Sequence, residues 1–260
     1  MGPQARYGTM INLPSKKVLL LSVARAVGGF ANSFLIIILP LYLVSAVTDL
    51  SSFTGLTIFS VTLEREFYIG LALSVLAFVS GATQPLFGYF SDKLQKRRIF
   101  LLMGLGLLAV SSVFYLFVTN YVAVLAIRAI QGLAVGMTVP VSLTLVNEYT
   151  YIEDNPSGES LGYYNTIRLI GFGMGPLVAG AIYQYGPYSF NNITVSGINA
   201  AFILSSVFSL ITFGLIYLYI ADPTETYEET DDQEEDTSVS FISKLKYVLA
   251  PYSTITSSKI

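Results

Sequence analysis

The chain contains no cysteine and no histidine among its 260 residues. Without cysteine there are no disulfides, thiolate metal sites or thiol nucleophiles. Without histidine there is no imidazole to shuttle protons near neutral pH. Any acid–base chemistry is left to Asp, Glu, Tyr or Lys. Charge is scarce too: 12% of the residues are Asp, Glu, Lys or Arg, against about 25% in a typical soluble domain. From Leu169 to Ala221 there is no charged residue at all. The composition is 53% hydrophobic and the mean hydropathy is +0.63. Apolar residues in blocks of this length have a bilayer as their natural solvent.

The charges that exist are unevenly placed. The net charge is −3. Fifteen residues, Asp222 to Asp236, carry nine acids and no base, which leaves the rest of the chain net positive. Like charges at that density repel and do not pack, so residues 222–260 are read as an acidic cytoplasmic linker. Within it, Ser240 to Ala250 suits a short amphipathic helix lying on the membrane surface.

A membrane-crossing helix needs about 20 apolar residues, and six stretches qualify. They are Val18 to Val47, Phe67 to Ser91, Ile99 to about Val118, Tyr121 to about Asn147, Leu161 to about Tyr183, and Ile198 to Ala221. The third and fourth are divided at Thr119-Asn120, and "QYGPYSFNN" supplies the turn before the sixth. The first apolar run is too long for a signal peptide, lacks a small-residue cleavage site and leads directly into more spans. The expected architecture is an all-α membrane protein: a cytoplasmic N-terminus over 1–17, a six-helix bundle over 18–221, and the linker.

Lys and Arg set the orientation. Arg6, Lys16 and Lys17 precede the first span, Lys93, Lys96, Arg97 and Arg98 lie between the second and third, and Lys244, Lys246 and Lys259 follow the sixth. Arg65 stands alone on the opposite side. Both termini are therefore expected in the cytoplasm of a multi-pass protein of the cell membrane. The acidic loop after the fourth span carries little weight in a rule that counts bases. Asn192-Ile193-Thr194 forms a glycosylation sequon in an outer loop.

The fifth span holds "GFGMGPLVAG", a composition that reads as a loop in a soluble protein. On a helix, Gly171, Gly175 and Ala179 stack on one face. Small residues there let a neighbouring backbone come close, while Pro176 removes one hydrogen bond and bends the helix. The run reads as a packing seam with a hinge, not a phosphate cradle. "GLGLLA" from Gly104 imitates a dinucleotide fingerprint but lacks the strand before it and the acid after it.

Three segments resemble signatures of the major facilitator superfamily of secondary transporters. "GYFSDKLQKRR" matches the loop signature between spans two and three at Gly88, Asp92, Lys93, Lys96 and Arg97, with Gln95 where the family prefers Gly. A carboxylate at that helix end can cap a neighbour's amides. "LAIRAIQGLAVG" in span four resembles the Arg-x-x-Gln-Gly signature at Arg128, Gln131 and Gly132, with Gly136 and Pro140 following at spacings of four. In span five, Gly162, Gly171, Gly175, Pro176 and Gly180 stand at the spacings of a signature associated with the superfamily's antiporters, Ala179 replacing one Gly. The resemblance covers Val18 to Ala221, one six-helix half. It implies three-plus-three inverted repeats, a midplane substrate site and rocking of one half against another, although no internal repeat is evident by eye. It further implies that Glu148, at the cytoplasmic end of span four, pairs with the loop bases near Arg97.

Inside the spans stand Arg25, Arg128 and Arg168, with no interior Asp or Glu. For each arginine, snorkelling to the interface and lining a cavity are both open readings. If they line the cavity, the half-bundle is electropositive and suits an anionic substrate. Asn32, Gln84 and Asn165 are the neutral polar candidates for substrate contact. The expected function is a transporter of small solutes by alternating access, of the antiporter-type exporter kind. The alternative is a membrane scaffold or sensor that kept the fold and lost transport. An intramembrane enzyme would need metal ligands, a nucleophile with its base or paired carboxylates within the membrane, and the spans offer none, so neither catalytic residues nor a cofactor or metal is expected. The expected partners are lipid, a small-molecule substrate and a second six-helix half, with no nucleic acid. That second half would come from the same gene, a separate chain or self-pairing.

Overall fold

The computed structural model describes residues 15–47, 56–58, 61–152, 157–190 and 193–222. Its elements in chain order are α1 (Lys16–Ser45), β1 (Leu56–Ile58), β2 (Val61–Leu63), α2 (Arg65–Leu94), α3 (Arg97–Phe114), α4 (Tyr121–Ile152), α5 (Ser157–Tyr185), β3 (Tyr188–Phe190), β4 (Ile193–Val195) and α6 (Gly197–Tyr219). The six helices are the six apolar spans of the sequence, and all are long and apolar enough to cross a membrane. The protein is an integral, multi-pass membrane protein. The acidic linker, its Ser240–Ala250 segment and Asn192 lie outside the described residues.

Local chemistry sets several helix ends. Ser15 and Ser196 cap α1 and α6, their hydroxyls accepting from the amides of Val18 and Asn199 at 3.2 Å each. The Asn120 side chain accepts from the Ala123 amide at the start of α4. The third span is shorter than its apolar run suggests. Helix α3 stops at Phe114 and gives way to a turn, and the Tyr42 hydroxyl donates to the carbonyls of both Tyr115 and Val118. A side chain from α1 thus satisfies carbonyls that further helix would have satisfied. Two short hairpins, β1–β2 and β3–β4, were not anticipated; each pairs three residues antiparallel.

Helices consecutive in the chain run antiparallel, so the closely packed pairs α1/α5 and α2/α4 run parallel. The starts of α1 and α3 meet the ends of α2, α4 and α6 at one end, where Lys17 lies over the Tyr149 ring and the Tyr149 hydroxyl donates to the Ala221 carbonyl. This is the basic end. At the opposite, hairpin end, the Tyr121 hydroxyl reaches the Tyr68 carbonyl at 2.8 Å.

The packing has an internal symmetry. Helix α1 lies along α5 and α6, α4 lies along α2 and α3, and α3 and α6 lie on each other. Exchanging α1–α3 for α4–α6 reproduces the same set of pairs. Two apolar clusters fill the bundle. One surrounds Phe34, Tyr42, Tyr115 and Phe202 toward the hairpin end, and the other surrounds Leu21, Leu105, Leu145 and Ile216 toward the basic end. Lipid tails are as apolar as leucine, so burial alone does not join such helices. Close packing and interhelical hydrogen bonds do, as where Ser205 donates to the Ala31 carbonyl and Ser206 to that of Ala109. Helices α2 and α5 are covered mainly on one side, leaving Phe78 79% and Leu177 75% exposed.

Candidate functional site

Helix α2 ends at Gln95, which takes φ 50° and ψ 25°. This left-handed conformation costs a residue with a Cβ about 1 kcal/mol, which explains why glycine is preferred at that point. The turn forms with glutamine nonetheless. The Gln95 amide and its side-chain Nε2 both donate to the Asp92 carbonyl, at 3.4 and 2.7 Å.

The turn delivers Arg97 back beneath the bundle. Its guanidinium is buried and meets Glu148 from α4 and Asp92 from α2, each at 2.5 Å. Ser91 accepts a longer bond of 3.4 Å from Nη1. The Asp92 carboxylate takes the Arg97 side chain and stays largely exposed. The two acids differ in worth. Glu148 is nearly as buried as Arg97, so its charge pair is weakly screened, whereas solvent weakens the Asp92 contact. Lys93 and Lys96 are exposed.

Arg98, next in line, turns outward to α6. Its guanidinium sits 5.1 Å from the Tyr217 ring centroid and donates to the Tyr217 carbonyl. Its amide donates to the Asp222 carboxylate at 2.7 Å. Lys96 offers α3 no side-chain cap, so Asp222, just past the end of α6, supplies one. Sequence reasoning missed this contact because 124 residues separate the partners.

Arg128 lies inside the bundle, 3% exposed. Snorkelling is therefore not what it does. Its Nη1 donates to Gln131 Oε1 at 3.2 Å, and Nη2 reaches the Leu35 carbonyl at 3.5 Å. The Tyr115 hydroxyl donates to the same Gln131 oxygen at 3.2 Å. Arg128 Nε and Gln131 Nε2 are buried without a protein partner. Among the described residues, Arg97 makes the only ion pairs, so Arg128 is a buried cation held by neutral groups.

Glycines bring two helix pairs into contact. Along α1 and α5, a Cβ on Gly171 would strike the backbone of Ala26, and one on Gly175 would strike the Phe30 carbonyl and Ser33 Oγ. Along α2 and α4, a Cβ on Gly132 would lie 2.8 Å from the Leu76 carbonyl and Val79 Cβ, and one on Gly136 would strike Thr83. Gly88 faces Pro140 at an ordinary 3.8 Å. By contrast, a Cβ on Gly162, Gly173 or Gly180 would meet nothing within 4 Å among the described residues outside its own helix. Gly104 presses on Ala134 and Thr138 of α4, a helix contact and not a nucleotide loop.

A family model described as Major Facilitator Superfamily matches residues 21–257. The chain belongs to that superfamily. Major facilitator-type transporter psiT2 of Psilocybe cubensis is 30% identical over 116 residues, 45% of this chain and 21% of that protein. Citrate exporter 1 of Aspergillus niger is 26% identical over 129 residues, 49% of this chain and 24% of the exporter. Tetracycline resistance protein, class D, of Salmonella ordonez is 24% identical over 186 residues, 69% of this chain and 42% of that protein. The matched stretch thus spans well under half the length of each of these relatives. The superfamily is one of transporters, and the segments that resemble its signatures hold the Arg97 turn, the Arg128 group and, at Gly171 and Gly175, the α1/α5 seam.

The remaining site candidates divide. Arg25 is 8% exposed, with its Nε buried and unpartnered. Asn32 is half-buried, with a buried and unpartnered Oδ1. Asn165 and Arg168 are half-buried on α5. Gln84 is tied to its own helix, Nε2 donating to Ser80 Oγ at 3.1 Å. Pro176 is half-buried beside the seam. Sequence reasoning also missed the hydrogen bond between the Ser142 and Tyr164 hydroxyls, 2.7 Å apart, that joins α4 to α5.

Proposed function

We propose that this chain forms one half of a secondary transporter that moves a small solute by alternating access, working as an antiporter-type exporter. A second six-helix half, from the same gene, a separate chain or another copy, packs on the outer faces of α2 and α5. The observation that carries this reading is the double use of the fifth-span glycines. Gly171 and Gly175 press into α1, while Gly162, Gly173 and Gly180 form a stripe on the opposite face with open space beside them. Gly70 and Gly81 of α2 are likewise open. Small residues on a face let another helix approach closely and slide.

The Arg97 turn and the Arg128 group supply the gating parts of this reading. Asp92, Lys93, Lys96, Arg97 and Glu148 hold the basic end, and Arg128, Gln131 and Gly132 brace the interior against α1 and α2. Lys and Arg gathered at that end support a cytoplasmic location for both termini, in the cell membrane. An exporter is also what the name of the citrate relative gives that protein.

The test is solute counterflow in proteoliposomes holding this chain with a second half. Flux should depend on an ion gradient and fall when Asp92→Asn or Arg128→Gln is introduced. A well-folded assembly that moves no solute would leave the scaffold reading in its place. Because the chain lacks cysteine, a single Gly173→Cys reports the α5 outer face directly. Its thiol should be shielded from a membrane-permeant reagent only when the second half is present.

A further inference from the structure

We infer that the stripe of α1 bearing Arg25 and Asn32, flanked by Asn165 and Arg168 of α5, binds a small organic anion that carries both a carboxylate and a hydrogen-bond donor. This names a substrate class for the transporter proposed above and rests on that reading.

Position comes first. Gly28 and Gly29, one turn beyond Arg25, fix what lies on either side. Gly28 faces Leu105 of α3 and Thr212 of α6, and Gly29 faces the Arg168 carbonyl and Phe172 of α5. At 100° per residue, Arg25 and Asn32 project between these two directions. The stripe is closed toward the basic end by the fully buried Val18 and Leu21, and there the Ser142–Tyr164 bond joins α4 to α5. In the other direction it is reached beside Ile36, which is 40% exposed, and it closes again at Leu39 and Leu43, which are fully buried. Arg168 belongs to the same place, since its backbone touches α1 one turn from Arg25.

Chemistry follows. Arg25 is 8% exposed, and its Nε is buried and unpaired. Among the described residues the acids Glu64, Glu66, Asp92, Glu148, Glu159 and Asp222 stand toward helix ends, and none forms an ion pair with Arg25 or Arg168. A buried cation without a counter-charge is costly and is kept where function needs it. Its planar fork of donors matches a carboxylate. Asn32 presents the opposite need, a buried carbonyl oxygen awaiting a donor, which a hydroxyl would supply. About 10 Å of helix rise separates the two residues, so the ligand's carboxylate and its donor lie at opposite ends of it.

The experiment uses the full chain in detergent micelles and reads the shift of the thermal unfolding midpoint with added malate, succinate, choline or glucose. Malate should stabilise the protein, succinate should bind more weakly for want of the hydroxyl, and choline and glucose should do nothing. Arg25→Gln should weaken malate binding by about tenfold or more, the usual loss for a hydrogen bond to a charged group. The unliganded variant should unfold no lower than the parent, because a lone buried charge has gone. Arg25→Lys keeps the charge and loses the fork, so it too should bind weakly, while Arg65→Gln at the hairpin end should bind as the parent does. Asn32→Ala should abolish the preference for malate over succinate. Malate binding unchanged in both Arg25 variants would overturn the site. Stabilisation by choline or glucose in place of the carboxylates would overturn the substrate class. Solute flux in vesicles with no carboxylate binding leaves the transporter reading standing and sinks this one; carboxylate binding without flux of any solute does the reverse.

Discussion

The α1/α5 seam and the α2/α4 seam are counterparts under the exchange of the two helix triplets, yet they are built differently. In the first, glycines of α5 meet mainly backbone: Ala26 and the Phe30 carbonyl, with Ser33 the one side chain. In the second, glycines of α4 meet side chains as much as backbone, Val79 and Thr83 as well as the carbonyls of Leu76 and Ser80. Side chains can move and backbone cannot, so the second seam is the more forgiving. It is also the one with an ionic staple, because Arg97 binds Asp92 of α2 and Glu148 of α4 together.

The comparison can be broken most directly at its tightest point. Gly175→Leu should cost more than about 3 kcal/mol, the upper part of the range for overpacking, because the new side chain meets a carbonyl that cannot retreat. Failure to recover folded protein from detergent, or a strongly lowered unfolding midpoint, is the expected result. A near-normal midpoint would mean that α1 and α5 are not in backbone contact. Next in size is Arg97→Met. It should cost about 2 to 3 kcal/mol, toward the lower end for breaking a buried pair, since the exposed Asp92 adds little. Its damage should concentrate in the α2/α4 seam, read as faster amide exchange there than in α1 and α5.

A smaller effect sharpens the contrast between backbone and side chain. Gly136→Ala should cost about 1 kcal/mol and be largely restored by adding Thr83→Ala, a coupling visible in a double-mutant cycle. Gly171→Ala should cost more and find no such partner, since the obstacle is the Ala26 backbone. The smallest effect is expected on the other face of α5. Gly173→Leu should change stability by less than about 0.5 kcal/mol, because nothing lies within 4 Å of it. A large loss there would mean that this face is already packed within the six-helix unit.

The seams also show why the internal repeat escapes a reader of the sequence. Each seam pairs one helix from each triplet, but the glycines come from the second triplet both times: Gly132 and Gly136 in α4, Gly171 and Gly175 in α5. Equivalent positions in the first triplet carry Ala26, Phe30, Val79 and Thr83. Symmetry of shape is achieved with unlike residues, so no pattern recurs along the chain. The end of α3 was illegible for a related reason. The helix ends at Phe114, and the carbonyl of Tyr115 just beyond it is taken by Tyr42, 73 residues before Tyr115. Arg25 and Arg128 could have snorkelled by their depth alone, and only burial shows that neither does.

Composition and spacing alone determined that the chain lives in a bilayer, that it crosses six times and that its fifth helix is made for close contact. These follow from water, oil and helix geometry, which act on each segment separately. The tertiary structure decided which glycines touch a neighbour and which stand open. It also decided that Arg97 joins two helices while Arg25 and Arg128 meet no carboxylate among the described residues, and that Asp222 caps a helix begun 125 positions before it. Each of these depends on which helices lie side by side, and that arrangement is a property of the assembled bundle and of no segment within it.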